Sequence, residues 1–148
     1  MLKKEITYTD YNGVERTETH YFNLSKAELL DMELFTEGGY VNMLERVVKE
    51  NDQIAIIKIF KELVMKSYGK KSEDGRRFVK SQELLDEFMQ SEAFSEFYME
   101  LATNSNAAAE FANGIMPADL RDQVEKVAPD GVTDLKTLAA LKLGKEEA

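Results

Sequence analysis

LKKEITYTDYNGVERTETHYF, residues 2–22, decides the architecture. Two β-rich runs flank Asn12-Gly13, the dipeptide that best tolerates the positive φ angles of a type I′ turn, and a two-residue loop there predicts a β-hairpin. Such a loop fixes a register: Tyr11 opposes Val14, Thr9 opposes Arg16, Thr7 opposes Glu18 and Glu5 opposes His20, all on one polar face. The other face carries Leu2, Ile6, Tyr8 and Tyr21, enough apolar area to lie on a helical layer but too little to stand alone. The hairpin is therefore expected to cover helices.

Local signals place those helices. Ser25 with Glu28 three residues on forms a capping box ahead of Leu29, Leu30, Leu34 and Phe35, so a first helix is expected over about 26–36, stopped by Gly38-Gly39. Tyr40, Leu44, Val47 and Val48 follow an i, i+4, i+7, i+8 stripe that predicts a second. Asn51 or Asp52 caps a third over about 53–68. It is apolar around most of its circumference apart from Lys58, Lys61, Glu62 and Lys66, and is the expected central core helix. GKKSEDGRRFVK, residues 69–80, reads as an exposed loop or short hairpin anchored by Phe78 and Val79.

Ser81 opens a fourth helix. At 100° per residue, Leu84, Leu85, Phe88 and Met89 centre roughly 200° away from Phe94, Phe97, Tyr98 and Leu101, so the helix must break near Gln90-Ser91, with Ser91 capping its successor. Another helix is expected over about 105–113 with Gly114 as its stop, and Pro117 suits the first turn of one more. The expected fold is α+β and mostly α, with an N-terminal β-hairpin over about 2–22 packed on a bundle of five to seven short helices. The hairpin and helices form one domain over 1–124. The C-terminal tail, 125–148, is expected to be partly disordered or a weak amphipathic helix through Leu135, Leu138 and Leu141.

The 148 residues include no cysteine, which excludes a disulfide scaffold, thiolate metal ligation and a Cys nucleophile and suits a reducing cytosol. No window approaches the ~20 apolar residues of a membrane span, and no apolar stretch follows the N-terminal lysines, so neither membrane insertion nor secretion is expected. Nineteen basic against 28 acidic residues give a net charge of −9, which disfavours generic nucleic-acid binding. The charges fall in blocks: 1–52 is acidic, 53–80 basic, and 81–120 carries acids but no Lys or Arg. Opposite blocks on one molecule favour head-to-tail association into a homo-oligomer.

His20, the only histidine, is expected at the surface beside Glu5. A single strand histidine argues against a Ser-His-Asp triad or a multi-His metal centre. Asp86, Glu87, Glu92, Glu96 and Glu100 fit a solvated helix face better than an acid/base pair or a hard-cation site, and no Glu-x-x-His pair, EF-hand or P-loop accompanies them. No catalytic residue, metal or cofactor is expected, and binding of other proteins is the predicted activity. The basic segment 66–80, with Lys70, Lys71, Arg76 and Arg77 beside Phe78, is the candidate for anion contact or electrostatic self-association. It also carries the alternative reading of a nucleic-acid-binding or regulatory adaptor. From Phe94 to Pro117 the chain holds more apolar residues than so short a stretch easily buries. Phe94, Phe97, Tyr98, Phe111, Ile115, Met116 and Pro117 are the candidate partner contacts, and Phe111→Ser with Ile115→Ser is expected to stop partner binding while leaving the fold intact.

Three stretches carry a family resemblance: TYTDYNGVERTETHYFNLSKAELLDME (7–33), IIKIFKELVMKSYGKKSEDGRRFVKS (56–81) and FYMELATNSNAAAEFANGIMPADL (97–120). In that order they resemble the tail assembly chaperones of long-tailed bacteriophages and prophages, over about residues 4–120, with YGKKSEDGRRFVKS the most specific run. The resemblance implies a protein that binds the tape measure protein, keeps it soluble and helps recruit tail tube protein subunits during tail morphogenesis. Such a protein acts in the cytoplasm of the infected or lysogenic bacterial host and is absent from the mature virion. The resemblance also implies a programmed frameshift, which near Gly144-Lys145 would yield a longer form of the chain as a further partner.

Overall fold

The computed structural model describes residues 1–117. Strands β1 (Leu2–Thr9) and β2 (Glu15–Phe22) form the expected antiparallel hairpin. Its register lies one residue from the expected one: Thr9 faces Glu15, Thr7 faces Thr17, Ile6 faces Glu18, Lys4 faces His20 and Leu2 faces Phe22. Asp10 is the cause. Its N–H donates to the Val14 carbonyl at 2.8 Å, and the Gly13 N–H donates to the Asp10 carbonyl at 2.9 Å. Its Oδ1 accepts from the N–H groups of Asn12 and Val14, both at 2.9 Å. Gly13 has φ +82° while Asn12 stays outside the left-handed region, so the loop is a three-residue turn with a glycine bulge and not a type I′ turn. Since side chains alternate, a one-residue shift turns one strand over. Phe22 and His20, rather than Tyr21, join the face of Leu2, Ile6 and Tyr8.

Residues 69–80 resolve into a hairpin, β3 (Tyr68–Lys71) and β4 (Phe78–Val79). β3 pairs with β2, Tyr21 with Gly69 and Phe22 with Tyr68, giving one four-stranded sheet in the order β1-β2-β3-β4. A Cβ on Gly69 would stand 2.6 Å from the Val79 carbonyl oxygen, so this close pairing requires glycine.

Among the described residues the helices are α1 (Lys26–Phe35), α2 (Tyr40–Lys49), α3 (Gln53–Ser67), α4 (Gln82–Met89), α5 (Glu92–Thr103) and α6 (Ser105–Gly114). The capping box is made in both directions between Ser25 and Glu28. Side-chain oxygens of Asp52, Ser81 and Asn104 each accept a first-turn N–H at 3.1 Å. The break at Gln90-Ser91 is present, but Ser91 Oγ donates to the Phe88 carbonyl at 2.7 Å and does not cap α5.

Phe22 is the hub of the core. Fully buried, it lies with its ring centroid between 5.1 and 5.9 Å from those of Tyr68, Phe88, Phe97 and Phe111, joining β2 to β3, α4, α5 and α6. Helix α5 packs on the inner face of β1, where Lys4 pairs with Glu100 at 3.1 Å and the Tyr11 hydroxyl donates to Glu92 at 2.7 Å. Glu92 and Glu100 thus hold hairpin to helix, where a purely solvated face was expected. Lys80 ties four segments together: its Nζ donates to the carbonyls of Asn23 (2.8 Å) and Lys66 (2.7 Å) and to the Glu28 carboxylate (2.7 Å). Helix α3 enters the core through Ile59, Phe60, Leu63 and Val64, with Ala55 and Ile56 half-buried against it, whereas Ile54 in its first turn is 70% exposed. The proposed boundary at 124, the 125–148 tail, a helix after Pro117 and Gly144-Lys145 lie outside the described residues.

Candidate functional site

The apolar residues expected to face a partner are mostly spoken for. Phe94, Phe97, Phe111, Ile115 and Met116 are all at most 8% exposed, while Tyr98 and Pro117 are half-buried. The inward-facing Phe22 supplies the missing area: Phe97 and Phe111 pack against it and against each other, ring centroids 5.5 Å apart. The expected apolar surplus at 94–117 is therefore absorbed by the core. Phe111→Ser or Ile115→Ser would open that core, contrary to the expectation that the fold survives.

The surplus lies on α1. This helix has no buried residue. Leu29 and Met32 turn towards Tyr40, Leu44 and Leu63, lining a small cleft with them. On the other side Leu30, Leu34 and Phe35 are 57%, 64% and 82% exposed. Leu30 and Leu34 sit one turn apart on one line, with Phe35 about 100° further round. A helix apolar on both sides is normally enclosed, and here one side is open. The signal was present in the sequence, in Leu29-Leu30 and Leu34-Phe35 inside a single short helix.

A second apolar feature is a groove of about 410 Å³ between the first half of α3 and the corner where α5 meets α6. Ile56, Ile57 and Phe60 form one wall, and Leu101, Ala102 and Ala108 line the other. Small side chains at the α5–α6 corner leave the trough open. The alanine run 107–109 is the sequence signal for this trough.

The β3–β4 hairpin brings together Lys70, Lys71, Arg76 and Arg77, all exposed. Its turn is built by Asp74, which accepts from the Arg76 N–H at 3.0 Å and the Ser72 hydroxyl at 2.7 Å. Those bonds, the backbone one foremost, hold its carboxyl below the usual carboxylate range. Between the sheet and α4 a polar cleft of about 500 Å³ holds His20, whose ring lies 5.1 Å from Phe88. His20 is half-buried and faces inward, opposite Lys4, so the expected surface pairing with Glu5 does not form. Burial lowers its pKa, outweighing the nearby Glu18 carboxylate. Among the described residues no group of three or more His, Cys, Asp or Glu is placed to hold a metal ion, and no helix is long and apolar enough to cross a membrane.

Among the described residues, the open apolar face of α1 and the apolar groove are the surfaces with the chemistry to take another polypeptide. The chain belongs to the phage tail assembly chaperone family, whose model matches residues 1–147, and its role is that of a tail assembly chaperone. No curated protein and no solved structure matches it.

Proposed function

We propose that this chaperone binds the tape measure protein through the outer face of α1, keeps it soluble and helps bring tail tube subunits to it. On this reading it acts by binding rather than catalysis, in the cytoplasm of the infected or lysogenic host, and leaves before the virion is complete. The observation that carries the proposal is α1 itself, with Leu30, Leu34 and Phe35 open to solvent on a chain of net charge −9. A protein that shields a long aggregation-prone chain needs exposed apolar surface together with charge that keeps it dissolved.

The test is co-expression with the tape measure protein. Leu30→Ser, Leu34→Ser and Phe35→Ser combined should sharply lower the soluble fraction of tape measure while the chaperone keeps its own helical signal. Unchanged tape measure solubility would remove α1 from the proposal.

The four cations on the β3–β4 hairpin favour a second contact, with the acidic α4–α5 surface of another copy. Light scattering should then show a mass that falls as salt rises. A frameshifted longer form remains a proposed partner, decided by the nucleotide sequence at Gly144-Lys145.

A further inference from the structure

We propose that the groove between α3 and the α5–α6 corner is the seat of an amphipathic helix from another polypeptide, one whose apolar stripe is flanked by acidic residues. The inference is independent of which surface holds the tape measure protein. Outside Met1, the hairpin tip and α1, the large apolar side chains left exposed among the described residues are Ile54 and Met99, at 70% and 58%. They stand on opposite sides of this groove. Ile54, Ile57 and Lys61 recur at i, i+3, i+7 along the α3 lip, and Ser95, Met99 and Ala102 at i, i+4, i+7 along the α5 lip. Ile57 and Ala102 line the trough itself. Apolar surface therefore runs up both walls and onto both lips, as a receptor for a helix pressed between them requires.

Charge selects the occupant. Among the described residues none that lines the groove is charged, although the whole chain has a net charge of −9. The α3 lip ends in Lys61, half-buried, its Nζ 5.8 Å from the ring centroid of Tyr98, which lines the groove. The acids of α5 are turned elsewhere. Glu92, Glu96 and Glu100 follow another line of that helix, where Glu92 accepts from Tyr11 and Glu100 pairs with Lys4 of the hairpin. An acidic residue beside a docked stripe would meet Lys61 with no carboxylate from the lining against it, whereas a basic one would meet the lysine's own charge.

The shape suits a helix better than a polar small molecule. Gln53, Thr103 and Ser105, the polar lining at one end, gather where α3 and α6 begin, and the stretch from there to Tyr98 is apolar. From Gln53 to Phe60 the α3 wall runs about 10 Å, close to two turns of a docked helix. Such a helix anchors through side chains at i, i+3, i+4 and i+7. The groove is thus the converse of α1, which offers an apolar line to be received where the groove receives one.

The probes are a synthetic helix of about 15 residues, with leucines at i, i+3, i+4 and i+7 flanked by glutamates, and its twin with lysines in place of the glutamates. Fluorescence anisotropy with the full-length chain should show the glutamate peptide binding at least about tenfold more tightly than the lysine peptide. Net charge alone favours the lysine peptide, so that order reports the groove and not the whole molecule. Lys61→Glu should reverse the order, and Ala102→Glu should weaken the glutamate peptide at least about tenfold. Leu30→Ser, Leu34→Ser and Phe35→Ser combined should leave its affinity unchanged. The proposal is overturned by equal or tighter binding of the lysine peptide, by indifference to Lys61→Glu and Ala102→Glu, or by loss of binding in the α1 variant, which would place the peptide on α1. Binding of neither peptide also overturns it, the outcome if this chain or a second copy already fills the groove. Lys61 and Ala102 lie outside the buried core, and circular dichroism of each variant verifies the fold.

Discussion

Helices α1 and α5 are built from similar material and meet opposite fates. Each is short, rich in Leu, Phe and Met and without a basic residue in its last turn. In α5, Ala93, Phe94, Phe97 and Leu101 are buried against the sheet and α6, whereas α1 buries nothing completely and leaves three large side chains in water. The difference is one of neighbours. The hairpin lies on α5 and delivers Phe22 to it, and among the described residues no element covers the outer side of α1. Apolar composition thus marks both what holds the fold together and what is left for a partner, and only position tells them apart.

That contrast breaks most visibly at the hub. Phe22→Ala should cost about 3–5 kcal/mol, because it removes an aromatic ring packed against four others and leaves a cavity. Urea unfolding checks this, and a loss below about 1 kcal/mol would mean that β2 does not anchor α5 as described. Gly69→Ala should cost about 1–3 kcal/mol, since its Cβ would meet the Val79 backbone and push β4 from the sheet. The same unfolding curve measures it.

A smaller, pH-dependent effect is expected at His20. Its folded pKa lies below the unfolded value of about 6.5, so the unfolded chain binds the proton more readily. Stability from the neutral ring is complete above about pH 6.5 and is lost as pH falls through the lowered folded pKa. His20→Gln should flatten the slope of stability between pH 7 and 5 relative to the parent, with Glu18 and Lys70 left in place. The smallest effect belongs to α1: Leu34→Ser with Phe35→Ser should shift stability by no more than about 0.5 kcal/mol, since both side chains are already in water. Strong destabilisation there would erase the distinction between the two helices.

Much of the fold was legible because helix ends are local events. Ser25, Asp52 and Ser81 could be read as caps since each satisfies N–H groups within its own first turn, and the α4–α5 break followed from periodicity alone. The candidate site was less legible. Lys70, Lys71, Arg76 and Arg77 were recognisable as an exposed cluster because charge seeks water wherever the backbone goes. Most of the apolar candidates are buried, which their sequence did not reveal because a hydrophobic residue carries no mark of which neighbour will cover it. Asp10 shows how small the deciding difference was: one carboxylate accepting two N–H groups replaced a two-residue loop with a three-residue one and reversed the roles of Tyr21 and Phe22.

By itself, then, the sequence determined the order, type and ends of most elements, the charge blocks and the absence of thiol chemistry. Each of these depends on residues a few positions apart or on composition. Tertiary structure decided that β3 joins the N-terminal hairpin, that His20 and Phe22 point inward, and that α1 rather than 94–117 keeps its apolar face open. Burial is a property of pairs of surfaces brought together from distant parts of the chain, and a one-residue change in strand register is enough to choose which surfaces meet.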